Sequence, residues 1–247
     1  MSKSSKLCQK TPCLRSNIFC NLVDKIVKRP SLQFLGQWGY HCYEPRIYRT
    51  LAKILRKGNP DFVELLLKKT KDYVQDRSCN LALIWRTFTP VYCPSPLSGI
   101  TPLLYVAQTR QSNILKILLQ YGILEREKNP INIVLTILLY PSRVRIMVDH
   151  ELVDIQEDAK TCLVLCSRVL SIISIKEIET QLSLGRRPII SNWLDYIPST
   201  RYKEPCELLH LCRITIRAQL LTNNMLPNGI FSLLIPVRLQ NYLNLES

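Results

Sequence analysis

Apolar residues recur at helical spacing along nearly the whole chain, and no stretch alternates apolar and polar positions for long enough to predict a β-strand. The first segment, residues 17–56, is predicted to hold one amphipathic helix at residues 18–27, which Pro30 ends. A second helix is predicted at residues 45–55, with Pro45 at its start. The pattern therefore predicts an all-α fold.

Residues 99–122, with the sequence GITPLLYVAQTRQSNILKILLQYG, resemble an ankyrin repeat. Thr101 is a good N-cap, and Pro102 fits the first helical turn, where a backbone N–H has no partner. Ala107 is small enough for two helices to approach, and Gly122 can end the second helix in a left-handed conformation. The residues that define the repeat are Gly99, Thr101, Pro102, Leu103, Ala107, Leu118, Leu119 and Gly122.

Weaker copies of this unit are predicted on both sides of it. Residues 62–67 align with residues 114–119, and this offset of 52 exceeds the period of about 33, so the Pro-rich residues 90–96 are predicted to be an insertion. Downstream, residues 160–166 are predicted to form a further first helix, with Thr161 in the position of Thr101. Stacked units of this kind bury one continuous core, which predicts a degenerate solenoid over residues 57–200.

The run PCELLHLCRITIRAQL, at residues 205–220, predicts a single amphipathic helix. Leu208, Cys212 and Ile216 follow one another at intervals of four, so they lie along one side of that helix. Such a narrow apolar ridge is suited to entering a groove on a partner.

This helix resembles the Elongin-binding helix of SOCS boxes, in which a Leu is followed after three residues by a Cys and then by an Ile-Arg pair. The resemblance implies contact with Elongin B and Elongin C. The residues it implicates are Leu208, Leu211, Cys212, Ile216, Arg217 and Leu220.

A second element follows the turn Pro227-Asn228-Gly229. The run LLIPVRLQNYL resembles the cullin-contacting part of a SOCS box. Leu234 stands where the usual pattern has its first proline. The residues implicated in cullin binding are Leu234, Ile235, Pro236, Leu239, Tyr242 and Leu243.

Together these segments resemble the ankyrin-repeat and SOCS-box family. Within that resemblance, residues 1–56 are an N-terminal helical cap, residues 57–200 the repeats and residues 205–247 the SOCS box. Several dozen further residues, including a first repeat helix, are expected between Arg56 and Lys57, which suggests a shortened variant.

The resemblance implies a substrate-recognition subunit of an Elongin–cullin–RING E3 ubiquitin ligase, with an unknown target protein bound by the repeats. The alternative is an ankyrin scaffold that binds partners without ubiquitylation.

Composition narrows the remaining function classes. The formal charge is +14, but the basic residues are dispersed, which favours a solvated positive surface over a nucleic-acid-binding site. Ten scattered cysteines fit reduced thiols in an intracellular, cytoplasmic protein. The polar N-terminus does not resemble a signal peptide, and the longest apolar run, residues 131–140, is too short to span a bilayer.

No pattern in the chain indicates catalysis or a cofactor. There is no phosphate-binding loop and no Gly-x-Ser-x-Gly elbow. Cys206, His210 and Cys212 lack the second cysteine pair of a zinc site, so no metal is expected. Cys162 and Cys166 are expected to be small core residues, and the chain is expected to be a non-catalytic adaptor.

Overall fold

The computed structural model describes residues 55, 58–77, 101–139, 149–184 and 187–246. Within these ranges the chain forms helices and turns and no β-strand, and one antiparallel bridge joins Leu139 and Pro188. The α-helices are α1 Pro60–Arg77, α2 Pro102–Thr109, α3 Ser112–Gln120, α4 Ile131–Leu138, α5 Asp149–Ser167, α6 Ile175–Ser183, α7 Leu208–Thr222, α8 Asn228–Phe231 and α9 Val237–Leu243. The predicted N-terminal helices, Gly99 and residues 90–96 lie outside the described residues, apart from Leu55.

Helices α2 to α5 form two stacked pairs, α2 with α3 and α4 with α5, and α1 packs on the first pair. Helix α3 packs against α2 within its own pair, and it also packs against α1 on one side and α5 on the other. The first helices of the pairs, α2 and α4, pack against each other in a second layer. This two-layer stack is the solenoid arrangement expected of ankyrin-like repeats.

Local chemistry explains where α2 begins and ends. The Thr101 hydroxyl accepts a hydrogen bond from the Leu104 N–H (3.1 Å), and Pro102 occupies the first turn. Arg110 ends the helix in a left-handed conformation with a φ of 53°. Its guanidinium is buried and donates to the carbonyl oxygens of Ile137 (3.0 Å) and Leu139 (2.5 Å), so it ties α2 to the end of α4.

The repeat downstream of Gly122 differs from its prediction. Thr161 lies in the interior of the 19-residue helix α5, where its hydroxyl donates to the Glu157 carbonyl oxygen (3.0 Å), and it begins no helix. The next first helix is α4, where Asn129-Pro130-Ile131 repeats Thr101-Pro102-Leu103 after 28 residues. The prediction relied on a period of about 33 residues, and this shorter spacing escaped it.

The thiols of α5 belong to the main hydrophobic core. Cys162 and Cys166 are both free and buried. Burial raises the pKa of Cys162 to about 12 and raises that of Cys166 as well, so both stay protonated at neutral pH. They pack as small core residues, as expected.

Residues 187–207 connect the repeats to the C-terminal helices. The Ile189 N–H donates to the Leu138 carbonyl oxygen (2.7 Å) at the end of α4. Arg201 is buried, and its Nε donates to the Ser167 carbonyl oxygen (3.0 Å) at the end of α5. Its Nη1 lies 2.6 Å from a carboxylate oxygen of Glu207, the residue before α7. This ion pair fixes the start of α7 relative to α5.

In the part of the chain that the structure describes, no helix is long and apolar enough to cross a membrane.

Gly122→Ala is expected to destabilise the fold more than Gly58→Ala does. Both glycines have a positive φ, +73° and +64°, and an L-residue in that region costs about 1–2 kcal/mol. At Gly122 the added Cβ would also lie 2.5 Å from Leu221 Cδ1, whereas at Gly58 it meets only Gln111 Oε1 at 3.6 Å. Urea denaturation of both variants measures the difference, and equal losses would show that α7 does not approach Gly122 closely.

Glu207→Gln is expected to lower the melting temperature at neutral pH, and this effect should disappear in acid. Hydrogen bonds from Arg201 and Thr200 hold the pKa of Glu207 at about 2, below its ordinary 4.5. The stability that the carboxylate contributes is therefore complete above pH 4.5 and is lost as the pH falls through 2.

Melting temperatures of wild type and variant, measured from pH 7 downward, test this expectation. Glu179→Gln, at an exposed position on α6, is the control and should show no such convergence. A difference at Glu207 that stays constant down to pH 2 would contradict the ion pair.

Candidate functional site

Helix α7 has the reverse of the usual distribution of polar and apolar side chains. Its buried side includes His210, Arg213 and Arg217, which are 1%, 4% and 2% exposed. Its exposed side includes Leu208, which is 76% exposed, and Leu211. Helices that pack on a core normally bury the apolar side, so both sides of α7 need a physical explanation.

The inward side of α7 runs past the ends of α3 and α5, where helix carbonyl groups have no partners within the helix. Arg217 Nη2 donates to the Leu119 carbonyl oxygen (2.5 Å), and Arg213 Nη1 donates to the Arg168 carbonyl oxygen (3.1 Å). His210 Nε2 donates to the Leu170 carbonyl oxygen (3.1 Å). The Leu119 and Arg168 carbonyls lie at helix ends, which carry a partial negative charge that cations stabilise, whereas Leu170 lies beyond the end of α5.

Arg217 makes the largest set of these contacts. Its Nε and Nη2 lie 2.9 Å and 2.6 Å from Glu125 Oε1, in the 3-10 turn Leu124–Arg126 that follows α3. Its Nη1 donates to the Leu243 carbonyl oxygen (3.0 Å) at the end of α9. The charge of Arg217 is therefore paired and hydrogen-bonded, as a buried cation requires.

Burial changes the acid–base behaviour of the two other polar groups on the inward side. Burial lowers the pKa of His210, which keeps the imidazole neutral and able to donate from Nε2. Burial also lowers the pKa of Arg213, to about 10, so this guanidinium stays charged at neutral pH. It stacks on the Tyr242 ring, 3.3 Å from the centroid, in a cation–π contact.

A small hydrophobic cluster holds α7 to α8 and α9. Its buried members are Leu220, Leu226, Ile230 and Leu243. Leu233 and Ile235 pack against it, whereas the alternate residues Leu234 and Pro236 are exposed. Leu234 is fully exposed, so the proline that usually occupies its position could be replaced without loss of packing.

We call the solvent-facing side of α7, formed by Leu208, Leu211, Cys212, Thr215 and Gln219, the outward face. All five residues are exposed and none is charged. Cys212 follows Leu208 by four residues, so the two side chains lie one turn apart on the same side of the helix. The outward face is thus a neutral and partly apolar surface on a helix whose position is fixed from behind.

The structure divides the residues implicated in Elongin binding into two groups. Leu208, Leu211 and Cys212 lie on the outward face, and Ile216 is half-buried at its margin, against the small cluster. Arg217 and Leu220 are buried inside the chain, because Arg217 binds helix carbonyls and Leu220 packs on α8. These two side chains support the site and are not accessible to a partner in this arrangement.

The residues implicated in cullin binding are divided in the same way. Leu234, Pro236 and Leu239 are exposed, Ile235 and Tyr242 are half-buried, and Leu243 is buried. The sequence interpretation omitted two exposed apolar neighbours, Phe231 and Val237.

The sequence interpretation also missed the roles of His210 and Arg213. The sequence does contain a signal for these roles. His210, Arg213 and Arg217 follow one another at intervals of three and four, which places them on one side of a helix. Cys206, His210 and Cys212 do not converge: Cys206 Sγ contacts Arg201, His210 binds Leu170, and Cys212 is exposed. The described residues contain no group of three potential metal ligands.

Comparison with known proteins identifies the C-terminal segment. Residues 204–244 match the family model of the SOCS box. No solved structure significantly matches the chain. The assignment of residues 1–56 and 57–200 to separate units stays a prediction.

Relatives match the chain over its full length. It is 80% identical to Ankyrin repeat and SOCS box protein 17 of Canis lupus familiaris, 77% to that of Mus musculus and 76% to that of Homo sapiens, with 100% of both chains covered in each case. The alignment with the canine protein extends over 295 positions and this chain has 247 residues, so 48 positions have no residue here. Several dozen absent residues were expected, and their location after Arg56 stays a prediction. The chain belongs to the ankyrin repeat and SOCS box protein family.

Proposed function

We propose that the chain is a substrate-recognition subunit of an Elongin–cullin–RING E3 ubiquitin ligase. The observation that carries this proposal is the outward face, an uncharged and partly apolar surface on a helix whose charged residues are buried. A helix that only closed the end of a solenoid would expose its polar side to water.

Elongin B and C are proposed to bind the outward face. Leu208 is the most exposed apolar residue of α7 and can enter a groove of a partner. Burying one leucine side chain contributes about 1.5–3 kcal/mol, so Leu208 and Leu211 together can supply much of a micromolar affinity. Cys212, four residues from Leu208, is small and weakly polar, which suits a tight contact.

The cullin is proposed to bind next to Elongin, at α9 and the segment before it. Leu234, Pro236, Val237 and Leu239 are exposed there and form a second apolar surface of the SOCS box. Because Leu233 and Ile235 hold this segment on the small cluster, the exposed residues alternate with anchored ones.

Target capture is proposed to use the ankyrin-like repeats. Gln108 of α2 and Asn132 and Thr136 of α4 are accessible on the first-helix layer, and all three are uncharged. The ligase would then act by proximity, since a bound target lies near the ubiquitin-charged E2 of the assembled complex. In this proposal the chain supplies recognition and geometry, and other subunits supply the chemistry.

Leu208→Ala combined with Cys212→Ala is expected to abolish co-purification with Elongin B and C. A buried leucine truncated to alanine loses about 2–5 kcal/mol, enough to remove a micromolar interaction. Both side chains are exposed in the free chain, so its melting temperature should change little. The measurement is quantitative capture of Elongin B and C from a co-expression.

Leu184→Ala is the matched control, because Leu184 is 69% exposed at the end of α6 and lies outside the SOCS box. Retention of Elongin by the double variant would refute the assignment and leave a scaffold without ubiquitylation. Deletion of residues 205–247 is a poorer test, since it also removes Arg217 and its bond to α3.

Leu234→Ala combined with Pro236→Ala is expected to lower cullin capture by about tenfold, as loss of two central contacts does at many interfaces. Elongin capture in the same sample should not change, and this serves as the internal control. Leu234→Pro, which restores the usual residue at an exposed position, is expected to raise cullin capture. Unchanged cullin capture in both variants would remove α9 from the proposed interface.

A further inference from the structure

We propose that Arg217, together with Leu245, is a positioning element that holds the outward face at one fixed orientation relative to the ankyrin-like repeats. This inference rests on the proposed function, because the orientation matters only if one part captures a target and the other docks on a ligase. It assigns Arg217 a role different from the partner contact that the sequence resemblance implies.

The contacts of Arg217 connect three separate parts of the chain. One guanidinium reaches the last turn of α3 through Leu119, the following 3-10 turn through Glu125, and the end of α9 through Leu243. The planar guanidinium presents five donors in a fixed fork, so it can satisfy these acceptors at once. A lysine could replace the charge but not this geometry.

The charge of Arg217 makes these contacts selective for one arrangement. With 2% of its side chain exposed, the cation cannot fall back on water if its partners move away. Breaking a buried pair leaves an uncompensated charge, which is strongly unfavourable. The contacts of Arg217 therefore resist a small rotation of α7 relative to α3 more strongly than apolar contacts would.

Leu245 provides a second and independent connection. It lies just beyond the segment that matches the SOCS box, is fully buried, and belongs to the main core of the repeats instead of the small cluster. The Leu245 carbonyl oxygen accepts a hydrogen bond from Arg168 Nη1 (3.4 Å), and that of Asn244 accepts one from Gln120 Nε2 (2.9 Å). The C-terminal residues thus return to the ends of α3 and α5.

Arg217 and Leu245 add to the bonds that His210 and Arg213 make to the residues after α5. Arg217 lies in the second half of α7, and Leu245 follows α9, so both the first and the last helix of the box are fastened to the repeats. Because transfer by proximity depends on how reactants are held, a fixed orientation selects which target lysines come near the E2. A loosened joint would keep both binding surfaces but relax this selection.

The test uses the full chain, alone and bound to Elongin B and C, and compares Arg217→Met with wild type. Hydrogen–deuterium exchange is expected to speed up by about tenfold or more at residues 119–126 and 243–246, since each lost bond to a charged group is worth at least that factor. Exchange in α2 and α4 should not change. Elongin capture should fall by less than about tenfold, because the outward face is intact.

Arg217→Lys keeps the charge and should recover only part of the protection, and Arg187→Met, at an exposed arginine outside the SOCS box, is the matched control. A functional readout accompanies exchange: ubiquitin attached to the chain's own lysines in the reconstituted ligase, mapped by mass spectrometry. Wild type is expected to be modified at few lysines and Arg217→Met at a wider set. If Arg217→Met only lowered the stability of the chain, the set of lysines that carry ubiquitin would be the same as in wild type.

Unchanged exchange at both segments, or an unchanged ubiquitin pattern, would overturn the proposal. A loss of Elongin capture as large as that of the Leu208 and Cys212 variant, with exchange unchanged, would instead make Arg217 a direct contact. If Arg217→Met does not fold, Leu245→Ala repeats the comparison at the second connection. Failure of wild type to capture Elongin would refute the proposed function, while the exchange data would still test the joint.

Discussion

The buried carbonyl groups at and just beyond the ends of α3 and α5, which need hydrogen-bond donors, are the constraint on which the C-terminal half of this structure depends. Every helix leaves such groups at its terminus, and burying them without donors costs free energy. Here the donors come from distant positions: Arg201, His210, Arg213 and Arg217. Packing of the SOCS box on the repeats is therefore polar where a solenoid interface is usually apolar.

This constraint accounts for the outward face. Because the basic residues that the helix ends require occupy the inward side of α7 as far as Arg217, Leu208 and Leu211 are left towards solvent, while Leu220, after Arg217, packs inward. The two sides of α7 thus have different roles. One side supports the helix from within the chain, and the other side is left for a partner. The cost of exposing apolar side chains is offset when a partner covers them.

The repeats are shaped by the same junction. Gly122 ends the pair α2 and α3 in a conformation that favours glycine, and the space its missing side chain leaves is occupied by Leu221 of α7. Repeat units bury their core only through their neighbours, so the last pair needs a cover. In this chain residues that precede the SOCS box, such as Trp193 and Ile197, join the main core, and the 3-10 turn Trp193–Tyr196 packs on α5. Leu245 enters the same core from beyond the box.

The sequence by itself determined the helical class, the cap at Thr101, the turn at Gly122 and the existence of an apolar ridge at Leu208 and Cys212, because each depends on local spacing and backbone preference. It misplaced the repeat after Gly122, since Pro130, which immediately precedes α4, follows Pro102 by only 28 residues. Which side of α7 faces inward was decided by tertiary structure alone. The resemblance implicates Arg217 and Leu220 in Elongin binding, but the acceptors Glu125 and Leu119, roughly a hundred residues away in the chain, draw Arg217 inward, and no local pattern contains that information.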